Sequence, residues 1–149
     1  MKKLLSSVAL AAGLTCGAVP ASAAIVATLS SAATHYNVGD FITVDLAISG
    51  LGTEILSAYD LNLFFGNNVL SAGSVTQFLG QFGGFSNTST SAAFNADNVE
   101  VQLSSRLGGD DLASSQSDDF RFVTYGFQAR ADGVTWLQFG PDAASERKF

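Results

Sequence analysis

The residues able to do chemistry are few, and their spacing rules out most of it. His35 is the sole histidine; no Ser-His-Asp order and no Gly-x-Ser-x-Gly elbow accompanies it, so nucleophilic catalysis has no support. The sole cysteine, Cys16, lies near the N-terminus, and one histidine with no further cysteine cannot assemble the usual zinc ligand set. Carboxylates come closer to a constellation. Asp110, Asp111, Asp118 and Asp119 cluster in "GGDDLASSQSDDF". Paired acids serve glycoside hydrolysis when they flank a sugar, but these sit in polar, loop-like sequence without an aromatic platform. They are also candidates for calcium, a hard cation that takes oxygen ligands, although the alternating spacing of an EF-hand loop is missing. Capping of a short helical turn at "DDLASSQ" by Asp110 or Asp111 explains part of the acidity. No catalytic residue and no cofactor is expected.

Two further residue groups suit recognition rather than reaction. In "SAYDLNLFFGNNVL" (57–70) alternation puts Tyr59, Leu61, Leu63 and Phe65 on one face and Asp60 and Asn62 on the other, where they are either partner-binding points or a solvated outer surface. Trp136, the lone tryptophan, shares a strand face with Val134 and Gln138. It points outward, as a platform for sugar stacking, if Leu137 and Phe139 fill the core.

The elements that must position these residues are strands. Ile42, Val44, Leu46 and Ile48 alternate with Thr43, Asp45 and Ala47, and the same period of two recurs in Val99, Val101 and Leu103, in Val123, Tyr125 and Phe127, and in Leu137 and Phe139. "IVATLSS" (25–31) adds a first strand. Between them "VGD", "SGLGT", "FGNN", "LGQFGG", "LGGDD" and "ADG" supply turn residues. The stretch 83–98, "GGFSNTSTSAAFNADN", is polar and small and reads as a surface loop; its "NTS" at Asn87–Ser89 matches a glycosylation sequon. The fold class is all-β in one domain, an antiparallel β-sandwich or barrel.

The N-terminus has the three parts of a secretory signal peptide: basic Lys2 and Lys3, an apolar run, and "ASA" at Ala21–Ala23. Thr15 before Cys16 argues against a lipid anchor. Residues 1–23 are read as the signal peptide and 24–149 as the mature domain, secreted or at the cell surface of a bacterium. Removing the leader leaves five Lys/Arg against thirteen Asp/Glu, a net charge of −8. Such a surface disfavours nucleic acid and anionic membrane as partners, and a mature chain without disulfides must be held by its core.

In order, "FITVDLAISGL", "SAYDLNLFFGNNVLSAGSV" and "LGGDDLASSQSDDFRFVTYGFQARADGVTWLQFG" resemble the cohesin-like domains of the carbohydrate-binding sandwich superfamily. "FFGNNVL" resembles that family's tyrosine-aspartate-proline-asparagine-valine-leucine turn, with Asn68, Val69 and Leu70 matching. "LASSQ", "FQARADGVTWLQFG" and the terminal "SERKF" resemble an exported bacterial group that usually carries a PEP-CTERM sorting tail. The resemblance implies a nine-stranded jelly roll that binds rather than catalyses. One sheet face of cellulosomal cohesins grips a dockerin, and an aspartate on the strand before that turn takes part. Asp60 falls at the matching position; the family's asparagine two residues earlier is Ala58 here. The resemblance also implies that a closing strand and sorting tail follow Phe149. The expected function is protein–protein or extracellular-matrix contact at the bacterial envelope, with recognition of extracellular polysaccharide as the alternative.

Overall fold

The computed structural model describes residues 24–140. The expected signal peptide, Cys16 and the "SERKF" segment lie outside the described residues. The chain forms eight strands among these: β1 (Val26–Ser31), β2 (Phe41–Ser49), β3 (Ala58–Phe65), β4 (Leu70–Gln77), β5 (Thr88–Phe94), β6 (Asn98–Ser105), β7 (Phe120–Ala129) and β8 (Leu137–Gly140), with one short helix, α1 (Gly109–Ser115). They build two antiparallel four-stranded sheets, in the orders β1-β2-β7-β4 and β5-β6-β3-β8. The sandwich class is as expected; the resemblance implied nine strands, and eight are present among the described residues.

Alternation explains why these segments pair face to face. Val44, Leu46, Val123, Tyr125 and Phe127 of one sheet and Leu63, Phe65, Val99, Val101 and Leu103 of the other are all buried. Their outward neighbours, such as Thr43, Asp60 and Gln102, are exposed. Aromatic rings fill the layer between the sheets: Phe65 meets Phe127 edge-on at 5.3 Å, and Tyr59 lies 5.8 Å from Phe82 and 5.1 Å from Phe122. A register shift between Leu46 and Ala47, against β7, lets consecutive Phe122 and Val123 both turn inward.

Two expectations need correction, and one strand is additional. The stretch 83–98 is not a loop: a 3₁₀ turn at Phe85–Asn87 leads into β5, which pairs along its whole length with β6. Its alternation is invisible because an edge strand exposed on both faces needs no apolar face. β4 was likewise unmarked, since Gly73 interrupts it at a register shift between Ala72 and Ser74. Neither Asp110 nor Asp111 caps α1. The cap position is Gly108, and the two aspartates lie in the first turn, where their charge meets the positive helix end.

"LGQFGG" is more than a breaker. It forms a 3₁₀ turn at Gly80–Phe82 that drives Phe82, fully buried, under the sandwich edge. Gly83 closes that turn at φ 92°, where a side chain would be strained and would strike Leu107.

Candidate partner-binding face

The outer face of the sheet β5-β6-β3-β8 gathers the sequence's recognition candidates. Register sets Asp60 of β3 opposite Gln102 of β6, and Gln102 opposite Ser91 of β5. The side chains join in a row across three strands: the Gln102 amide donates to Asp60 Oδ2 at 3.1 Å, and the Ser91 hydroxyl bonds Gln102 Oε1 at 3.3 Å. A shallow depression of about 410 Å³ surrounds this row, edged by Ala58, Ser89 and Ser104. None of the four strands carries a Lys or Arg. With Asp60 and Glu100 on it the face is acidic, and it offers carboxylate and amide acceptors in a flat array.

Asp60 is exposed, as expected, but Asn62 is not: only 6% of its surface meets solvent. β3 is interior to the sheet, so Asn62 is flanked by Glu100 on one side and Gly140 on the other. The Asn98 amide, itself buried, donates to Asn62 Oδ1 at 2.6 Å and reaches Glu100 Oε1 at 3.4 Å. Alternation assigns a face but not a depth, and a short side chain on an interior strand is overlaid by its neighbours. Asn62 therefore acts beneath the face, holding the buried Asn98 amide, rather than as a contact point.

Trp136 stands just before β8 and is 56% exposed, while Leu137 and Phe139 pack against the core. The outward alternative holds. Further along β8 the Phe64 ring lies against Gly140, where any Cβ would collide with it.

The remaining candidates serve the fold. Asp118 Oδ1 accepts the Gly52 amide and Asp119 Oδ1 the Gly50 amide, tying the β2–β3 loop to the start of β7. Among the described residues no three His, Cys, Asp or Glu side chains come together as metal ligands, and Asp110, Asp111, Asp118 and Asp119 form no such group. His35 is exposed in the β1–β2 connection, its Nδ1 3.0 Å from the Thr34 hydroxyl. Asn87 of the sequon donates its amide to the Gly83 carbonyl at 2.9 Å. Sequence reasoning missed Gln102 and Ser91; their signal was register, which no single strand reveals.

On the opposite sheet Asp45 bonds Arg121 at 3.0 Å and accepts the Thr124 hydroxyl, and the Arg121 guanidinium lies 4.3 Å over the Phe78 ring. The Thr124 hydrogen bond holds the Asp45 carboxyl below its ordinary value, with Arg121 adding to that and partial burial opposing it. In the core, burial pushes the Tyr125 hydroxyl well above the usual phenol range, and it has no hydrogen-bond partner.

The layered arrangement has counterparts among solved structures. The chain superposes on a type II cohesin from Acetivibrio cellulolyticus, solved in a cohesin–X-dockerin complex, with a TM-score of 0.69 over 85% of this chain and 83% of that one, at 13% identity. The fold is that of a cohesin module. A second type II cohesin domain, from the same organism's cellulosome, gives a TM-score of 0.67 at 12% identity, covering 80% of this chain and 77% of that one. The cohesin module of a Clostridium perfringens family 33 glycoside hydrolase gives 0.56 at 14%, covering 74% of each. No protein-family model and no curated protein sequence matches the chain. The cohesin-like fold accounts for the two sheets and for an outer face that bears Asp60.

Proposed function

We propose that this chain is a secreted, non-catalytic binding module that engages a protein partner at the bacterial envelope through the outer face of β5-β6-β3-β8. The observation that carries the reading is the Asp60–Gln102–Ser91 row: exposed acceptors, fixed in register on a flat antiparallel sheet that carries no cation. Support comes from the fold. Cohesin modules with this architecture have been solved with dockerins bound, and the sequence resemblance puts Asp60 where such modules carry a contact aspartate. The acidity of the face favours a partner that presents Lys, Arg or amide donors, because complementary charge steers encounter and fixes register. Export rests on the N-terminal signal sequence; among the described residues no helix is long and apolar enough to cross a membrane.

The test is capture from envelope and secreted fractions with the immobilised protein, followed by titration of the captured protein against variants. Asp60→Arg and Gln102→Lys should abolish binding, and Asp45→Ala, on the opposite sheet, should leave it unchanged. Equal binding by all three would discard this face.

Exposed Trp136 favours a second reading, polysaccharide recognition. A blue shift of its emission on adding polysaccharide, lost in Trp136→Ala, would support that reading over the first; unchanged emission and no retention on insoluble polysaccharide would end it.

A further inference from the structure

β5 is an edge strand with none of the usual protection. Its seven residues, Thr88–Phe94, include no charge and no proline, and its ladder with β6 runs without a bulge. By contrast β4, the edge nearest it in the opposite sheet, is broken at Gly73. The direction of the free backbone groups follows from the two ends of β5. The Asn87 carbonyl accepts the Arg106 amide at 2.7 Å and the Asn95 amide donates to the Asn98 carbonyl at 2.9 Å, so the odd-numbered residues face β6. In an antiparallel ladder this alternates. Thr88, Thr90, Ala92 and Phe94 accordingly aim their N–H and C=O groups outward.

We infer that β5 pairs with β5 of a second copy of this chain, antiparallel about a two-fold axis through Ser91. Same-parity pairing is required for the outward groups to meet, and this axis satisfies it over the full strand. Thr90 faces Ala92 of the partner copy and Thr88 faces Phe94 of the partner copy, giving up to about eight backbone hydrogen bonds. Phe94, 49% exposed in the single chain, gains a β-branched cross-strand neighbour. Ser91 meets Ser91 of the partner copy, and small side chains flank it.

Charge does not oppose the pairing, acidic as the chain is. The row Asp60–Gln102–Ser91 continues through the axis, so the two Asp60 residues stand five strand spacings apart. That is about 24 Å, well beyond the screening length of about 8 Å at physiological salt. Glu100 lies opposite Ala93, and across the axis that row continues to Ser89 and Ser104 rather than to a second carboxylate. The product is one eight-stranded sheet with both candidate faces on the same side.

Sedimentation velocity of the purified chain over a concentration series tests this. The weight-average mass should rise towards twofold, and amide exchange at Thr90 and Ala92 should slow as concentration increases. Thr90→Pro removes an outward N–H, and Ala92→Lys puts a charge on the pairing strand; each should weaken association by about tenfold or more. Circular dichroism and melting should stay unchanged in Ala92→Lys, which leaves the backbone intact and decides the matter should Thr90→Pro fail to fold. Asp60→Arg should still dimerise, which separates this interface from the partner-binding face. A wild-type chain monomeric at every concentration, or a dimer that survives Ala92→Lys, would overturn the inference.

Discussion

Asp60 and Asn62 sit two residues apart on the same strand face, and they should respond oppositely to truncation. In Asn62→Ala the buried Asn98 amide loses its acceptor at 2.6 Å and keeps only Glu100 Oε1 at 3.4 Å, a distance at which little hydrogen bonding remains. Leaving a buried polar group unsatisfied costs about 1–3 kcal/mol, which for a domain of this size lowers Tm by about 4 °C per kcal/mol. Asp60→Ala removes an exposed carboxylate whose Gln102 partner turns to water; the expected change is below about 0.5 kcal/mol. Denaturant titration of both variants at pH 7 measures the difference. Adding Asn98→Ala to Asn62→Ala closes a double-mutant cycle, in which the pair should recover part of the loss because neither amide is then stranded. Equal effects at the two positions, or strict additivity in the cycle, would refute the assignment of Asn62 to a support beneath the face.

Tyr125→Phe should be neutral or stabilising by up to about 1 kcal/mol, since the buried hydroxyl has no partner to lose; a clear loss in chemical denaturation would show that it is satisfied. Asp45 has a depressed carboxyl, so its contribution is present above the ordinary carboxylate pKa of about 3.9 and lost as pH falls through the lower folded value. Asp45→Asn should thus melt below wild type at pH 7, and the gap should close in acid below that range; a gap that persists there would contradict the cause. Chelator should leave the melting temperature unchanged, because Asp118 and Asp119 already hold the Gly52 and Gly50 amides; a large drop would restore calcium as a ligand.

Legibility in the sequence followed burial. β2 and β7 bury one face each, so their alternation could be read directly, and Leu46, Tyr125 and Phe127 are core as expected. β5 has no buried face and β4 is bent at Gly73, so neither shows the pattern although both are hydrogen-bonded strands. Phe82 was hidden among glycines because a 3₁₀ turn, rather than a strand, delivers it to the core. At the candidate face Asp60 and Trp136 were legible from parity alone. The burial of Asn62 and the roles of Gln102 and Ser91 were not, because they depend on which strands lie side by side, a property of the assembled sheet.

The pairing of β2 with β7 has a consequence for how the chain is made. Thr124 reaches Asp45 across 79 residues of sequence, and these two strands form the middle of their sheet. Loop closure over that distance must precede any reward from the contact, which places such topologies among the slower folders. A ribosome adding about 5–20 residues per second releases β2 several seconds before β7 exists. Through that interval the β1–β2 pair and β4 stay unjoined, because β7 is the strand that lies between them, so this sheet closes late in synthesis even though most of the opposite sheet is already made.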